Sequence, residues 1–219
     1  MHFADRADAG RFLAHQLSRY AGTPDVIVLA LPRGGVPIGY EIARALHAPL
    51  DVFVVRKLGV PGQEELAMGA VASGGIRVLN PDVITALGTR ALEAVEQETE
   101  RELLEVTRRE EQYRGKRPFP ELQGRTVILV DDGLATGATM RAAARGVRQR
   151  QPARLILAVP VAAESTCREM QVEADEVVCA LTPEPFFGVG QFYDDFRQMS
   201  DEEVRAILAR GTSEGEELA

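Results

Sequence analysis

The 219-residue chain has no tryptophan, only two cysteines, and no uninterrupted apolar run near the ~20 residues that span a bilayer. Two cysteines cannot build the multi-bridge framework of a small secreted domain. Neither Cys167 nor Cys179 stands at zinc-ligand spacing, so both are expected to be buried thiols. Positive charge is scarce as well: 25 Lys and Arg face 33 Asp and Glu, a net charge of −8. Nucleic-acid affinity comes largely from clustered cations, so this balance argues against a nucleic-acid partner. A small anion, which needs only a few local donors, stays compatible with it. The first residues, MHFADRADAG, lack the basic and apolar regions of a signal peptide, and a cytoplasmic location without membrane contact is expected. With 45% hydrophobic and 26% charged residues the chain reads as globular, of a length suited to one domain with an appendage.

What is present alternates regularly. Residues 5–20 place Ala, Phe and Leu on one side of a helix. The apolar run 25–31 (DVIVLAL), closed by Pro32, has the form of a strand buried on both faces. A glycine turn and a helical stretch over 38–46 follow, then a strand over 50–55 that ends at Arg56 and Lys57. Residues 68–72 and 76–79 flank Ser73, Gly74 and Gly75 as a hairpin. Residues 81–114 carry many Glu and Arg three and four positions apart, which predicts a solvent-exposed helix standing off the core. Further strands are expected over 126–130, 155–161 and 176–179, separated by helices over 140–150 and 164–171. Ser200 followed by Glu203 is a capping-box pattern and predicts a helix over 201–210, with the polar residues 211–219 fraying. Strands alternating with helices build a mostly parallel sheet flanked by helices, an α/β fold.

The segment 127–140, VILVDDGLATGATM, is where this pattern acquires chemistry. An apolar strand runs into two acids and a Gly/Thr turn that opens a helix. Amides of such a turn point outward and the helix dipole adds partial positive charge, so a phosphate can be held without lysine. Gly133 and Gly137 let the backbone approach, and Thr136 and Thr139 supply hydroxyl donors. Asp131 and Asp132 would repel a phosphate if they pointed into the turn. Beside it they can accept sugar hydroxyls or act through a magnesium ion and its waters. Two acids at a strand end can also merely cap the next helix, but the whole string of strand, acids, glycines and threonines favours a ligand. No Lys-Ser or Lys-Thr follows the last glycine and there is no GxGxxG, which excludes a nucleotide P-loop and a dinucleotide fingerprint. A second glycine turn, LPRGGVP at 31–37, ends the first strand. Its Gly34 and Gly35 free backbone amides for an anion and Arg33 adds a charged donor.

VILVDDGLATGATM resembles the phosphoribosyl-pyrophosphate-binding motif of type I phosphoribosyltransferases. The resemblance implies that Asp131 and Asp132 meet the ribose hydroxyls as the catalytic pair, while Gly133, Ala135, Thr136, Gly137, Ala138 and Thr139 surround the 5′-phosphate. LPRGGVP resembles the pyrophosphate loop of that family, which assigns Arg33, Gly34 and Gly35 to the leaving group, with Lys57 as a further contact. Residues 58–68 match in position the flexible loop that closes over the reacting centre. The string FFGVGQFYDDF at 186–196 resembles the hood of purine phosphoribosyltransferases. By that resemblance Phe187 stacks on a flat base, and Asp194, in preference to Asp195, reaches a magnesium ion. Phe186 and Phe192 suit an ordinary core at least as well.

The implied organisation is one domain over 1–219, with 58–118 as a loop, hairpin and long-helix insertion and 182–210 as the hood. The implied function is transfer of phosphoribose from phosphoribosyl pyrophosphate to a nucleobase-like acceptor with release of pyrophosphate, with Mg2+ as cofactor and a homodimer as the assembly. The 6-oxopurine branch carries an acid where Ala135 stands, which argues against hypoxanthine or guanine as the acceptor. The alternative is a non-catalytic regulatory relative that senses phosphoribosyl pyrophosphate or a nucleotide at the same site.

Overall fold

The computed structural model describes residues 2–88 and 91–216, with the side chains of 64, 65, 91 and 212–216 outside the description. In chain order the strands are β1 Val26–Ala30, β2 Leu50–Val52, β3 Val55–Val60, β4 Gln63–Ala72, β5 Ile76–Leu79, β6 Thr126–Val130, β7 Arg154–Val161 and β8 Glu176–Leu181. The helices are α1 Arg6–Gln16, α2 Gly35–Leu46, α3 Pro81–Leu87, α4 Ala91–Arg114, α5 Ala138–Arg148, α6 Glu164–Met170 and α7 Asp201–Glu216. The tail expected to fray is therefore helical to Glu216, and residues 217–219 lie outside the described residues.

The main sheet has the order β2-β1-β6-β7-β8 and all its pairs are parallel. Side chains alternate between its two faces, and both faces are covered. Val26, Val28, Ala30, Ile128, Val130, Ile156 and Ala158 join one core cluster with residues of α1, α2, α4 and α7. Ile27, Leu29, Val127, Leu129, Leu155, Leu157 and Val159 join the other, with α5 and Met170 of α6. That is why β1 and β6 read as nearly unbroken apolar runs. Strand β1 has β2 on one side and β6 on the other, so the chain reverses its direction of travel across the sheet there. Ligands of open α/β sheets bind at such a point, beyond the carboxyl ends of the strands.

Three further expectations need correction. The strand expected over 50–55 stops at Val52. Phe53 and Val54 form a buried connection, held by the Ser73 hydroxyl accepting from the Val54 amide at 2.8 Å, before β3 starts the antiparallel sheet β3-β4-β5. Buried connections and buried strands are equally apolar, so hydrophobicity could not divide them. Arg56 and Lys57 consequently lie within β3 on opposite faces, and residues 58–68 build the β3–β4 hairpin, with pairing irregular around Leu58 and Gly59.

The charged segment 81–114 divides into α3 and α4, and α4 lies against the core. Val95, Thr99, Glu102, Val106 and Tyr113 form a buried stripe at spacings near three and four, while Leu92 and Leu104 point outward. Glu and Arg pairs on the outer face had masked the stripe.

The cysteines, finally, form a Cys167–Cys179 disulfide and are half-buried, not free buried thiols. Helix α6 returns the chain from β7 to β8, which brings these two positions within 6.5 Å between Cα atoms. Disulfides are rare in a reducing cytosol, so the cysteines lend no support to a cytoplasmic location. No helix among the described residues is long and apolar enough to cross a membrane.

Candidate active site

The two glycine turns meet at the switch point. From β1 the chain enters α2 through Pro32, Arg33 and Gly34, with a cis peptide between Pro32 and Arg33, and the Leu31 amide donates to the Val130 carbonyl at 2.8 Å. A Cβ on Gly35 would stand 2.6 Å from the Val130 oxygen, and one on Gly34 would stand 2.5 Å from Cγ of Asp132. Glycine is required at both positions by close approach of the β6 loop, since real Cβ atoms do not come that near. The turn after β1 and the acids after β6 therefore form one surface.

Asp131 and Asp132 lie at the centre of it. The Asp132 amide donates to Oδ1 of Asp131 at 2.9 Å. Nε and Nη2 of Arg6 both reach Oδ2 of Asp132 at 2.9 Å. Burial holds the Asp131 carboxyl well above the usual carboxylate range, and the neighbouring Asp132 charge adds to this. Burial raises Asp132 too, with Arg6 as the main opposing influence. A carboxyl whose folded pKa exceeds its unfolded value costs stability when ionised. That cost is full above the folded pKa and shrinks as pH falls from there to the ordinary carboxylate range of the unfolded chain. Asp131→Asn is accordingly expected to melt above wild type near pH 8, with the advantage shrinking near pH 5. Thermal melts at both pH values check this, and a lower melting temperature near pH 8 would contradict it.

The Gly/Thr turn after the acids is built from both sides. Gly133 packs so closely on Val189 that a Cβ would lie 2.5 Å from its Cγ1. The Thr166 hydroxyl donates to the Ala135 carbonyl at 2.9 Å, and Thr166 and Met170 pack against Gly137. Gly137 has φ +71°, which disfavours any side chain, and it begins α5 without a side-chain cap. The Ala138 amide reaches the Thr136 hydroxyl at 3.4 Å, and Ala135, Thr136, Ala138 and Thr139 face solvent. An uncapped helix start beside an exposed Gly/Thr turn is suited to receive an anion.

The remaining expected residues are more scattered. The backbone at Arg33 borders the acids, but its guanidinium extends towards Asp201 at the start of α7, 4.0 Å away. Lys57 lines a cavity of about 200 Å³ between the antiparallel sheet and α5, which Thr139 and Arg141 also border. Arg56 faces the other way and pairs with Glu102 of α4 at 2.7 Å. Phe187 is 79% exposed, while Phe186 and Phe192 stack on each other at 5.9 Å and pack on the aromatic cluster of Phe3 and Tyr193. Asp194 is a surface residue 4.0 Å from His2. Among the described residues no three His, Cys, Asp or Glu side chains gather as a metal cage.

Sequence reasoning missed Arg6, Thr166 and Tyr193. The Tyr193 hydroxyl donates to the Asp132 carbonyl at 2.7 Å. One signal for Arg6 was available, since a cation in the first turn of a helix opposes the dipole and calls for another partner.

A family model described as the phosphoribosyl transferase domain matches residues 3–197, and the chain belongs to that family. A Mycobacterium tuberculosis H37Rv protein named "Putative phosphoribosyl transferase Rv0571c" is 50% identical over 210 residues, covering 95% of this chain and 46% of that protein. The chain thus spans about half the length of the curated relatives it matches at this level. A Roseiflexus protein named "Bifunctional protein PyrR" is 31% identical over 167 residues, 75% of this chain and 70% of that protein. The solved structure of TT1426 from Thermus thermophilus is similar, with a TM-score of 0.85 and 43% identity over 96% of this chain and 99% of that one.

Proposed function

We propose that this chain transfers phosphoribose from phosphoribosyl pyrophosphate to a nitrogen of a nucleobase-like acceptor, releasing pyrophosphate. The observation that carries the reading is the convergence of the two glycine turns on one half-buried acidic pair at the switch point of the sheet. In this reading Thr136, Thr139 and the amides at the start of α5 hold the 5′-phosphate. Asp131 and Asp132 accept the ribose hydroxyls. The Gly34 amide, with Arg33 and Lys57, neutralises the departing pyrophosphate, and Gly35, whose own amide donates to the Leu31 carbonyl at 3.0 Å, lets the turn approach β6. Phe187, exposed on the hood, offers a face for a flat acceptor.

Magnesium fits as an ion carried by the substrate. Oδ2 of Asp132 is engaged by Arg6 and Oδ1 of Asp131 by an amide, which leaves too few donors for a cage held by the protein alone. Mg2+ commonly binds through substrate phosphates and waters with one or two carboxylates, and bound here it would neutralise pyrophosphate charge. The homodimer and the cytoplasmic location expected from the sequence belong to the same proposal.

A regulatory protein that binds phosphoribosyl pyrophosphate without turnover is favoured by one observation, the alanine at 135 in place of a carboxylate suited to handling a base proton. Incubation with magnesium, phosphoribosyl pyrophosphate and a panel of purine and pyrimidine bases separates the two readings. Base-dependent pyrophosphate release is the expected result, and binding without release from any base would establish the sensor.

A further inference from the structure

Arg6 is held more tightly than a surface arginine at a helix start needs to be. Its side chain is 11% exposed. Besides the two contacts to Oδ2 of Asp132, Nη1 donates to the Arg197 carbonyl at 2.9 Å, and the guanidinium carbon lies 4.1 Å from the centre of the Phe196 ring. A planar fork that donates in two directions and stacks on an aromatic face is specific to arginine; lysine offers only a point charge on a flexible stem.

Asp132 is located from the other sides as well. The Tyr193 hydroxyl takes its carbonyl, its amide is spent on Asp131, and Gly34 closes off its carboxyl carbon. Arg6 thereby joins α1 and the hood segment at Phe196 and Arg197 to one oxygen of the acidic pair. No motif of the phosphate loop contains it, for it lies 126 residues away in sequence.

We infer that Arg6 is a positioning residue: it fixes Oδ2 of Asp132 so that Oδ1 is presented to a ribose hydroxyl. The inference rests on the phosphoribosyl reading above. Through Arg197 and Phe196 it also makes placement of that carboxylate depend on how the hood is seated. Arg6 would then govern recognition of the sugar diol, while the Gly/Thr turn continues to hold the phosphate.

The test compares ribose 5-phosphate with 2-deoxyribose 5-phosphate by calorimetry, in wild type, Arg6→Gln and Arg6→Lys. Wild type is expected to prefer the ribose compound. In Arg6→Gln the preference should collapse by about 10- to 100-fold, the span expected for losing a well-aimed hydrogen bond to a charged group. Affinity for the deoxy compound should hold within a few-fold, which general loosening of the fold would not produce. Arg6→Lys keeps the charge and should still lose most of the preference, so it provides the reading if Arg6→Gln fails to fold. Undiminished preference in the folded variants would overturn the role of Arg6 and leave the phosphoribosyl site standing. Failure of wild type to bind either compound or phosphoribosyl pyrophosphate would instead remove the functional reading itself.

Discussion

Gly34→Ala is expected to weaken binding of phosphoribosyl pyrophosphate about 10- to 100-fold, the scale of losing a hydrogen bond to a charged group at the site. Gly34 has φ −62° and ψ −34°, which alanine adopts readily, so no backbone strain arises. The effect is steric. The new methyl would stand 2.5 Å from Cγ of Asp132, and Arg6 blocks retreat of that carboxylate on its far side. Asp132 must therefore leave its place beside Asp131, or the turn must move away from β6. Either change separates the sugar and pyrophosphate halves of the proposed site. Calorimetry for affinity and a circular-dichroism melt for integrity check this result. Wild-type affinity in the alanine variant would mean that the two turns do not form one site.

Arg114→Ala should cost about 3–5 kcal/mol, as when one partner of a buried ion pair is removed. Arg114 closes α4 and is buried. Its Nε lies 3.0 Å from both oxygens of Asp51, Nη1 meets Glu110 at 2.9 Å, and Nη2 donates to the Val52 carbonyl at 3.0 Å. Asp51 is itself buried, and burial already raises its pKa despite the guanidinium beside it. Without Arg114 that pKa climbs further. The folded state then binds the proton more tightly than the unfolded chain, so stability declines as pH rises from the ordinary carboxylate range through the raised value. The deficit against wild type should be greatest near neutrality and smaller in acid, where only lost packing remains. Urea unfolding at two pH values measures it. A deficit that does not change with pH would show that Asp51 is not left ionised and unpaired.

How much of this could be read from the chain depends on how local each feature is. Strand β6, the acids and the Gly/Thr turn are contiguous, and the expected strand 126–130 coincides with the observed one. The Ser200–Glu203 capping box forms as expected, with reciprocal bonds of 2.8 and 3.2 Å, because it spans one turn. Features that depend on distant partners were hidden. Arg6 finds Asp132 and Thr166 finds Ala135 only once α1 and α6 have packed. The same holds for α4, whose buried stripe contains Glu102 and ends at Arg114. Both look like solvated charges until Arg56 and Asp51 are placed opposite them. Cys167 and Cys179 could be paired only after β8 was seen to lie beside β7.

The central claim is that the acidic pair and its two turns hold a ribose phosphate. Titration of magnesium and phosphoribosyl pyrophosphate into wild type and into Asp131→Asn/Asp132→Asn tests it most directly. The account predicts saturable binding to wild type and loss of that binding in a double variant that still unfolds cooperatively. Equal binding to both proteins would contradict it, as would the absence of binding to wild type.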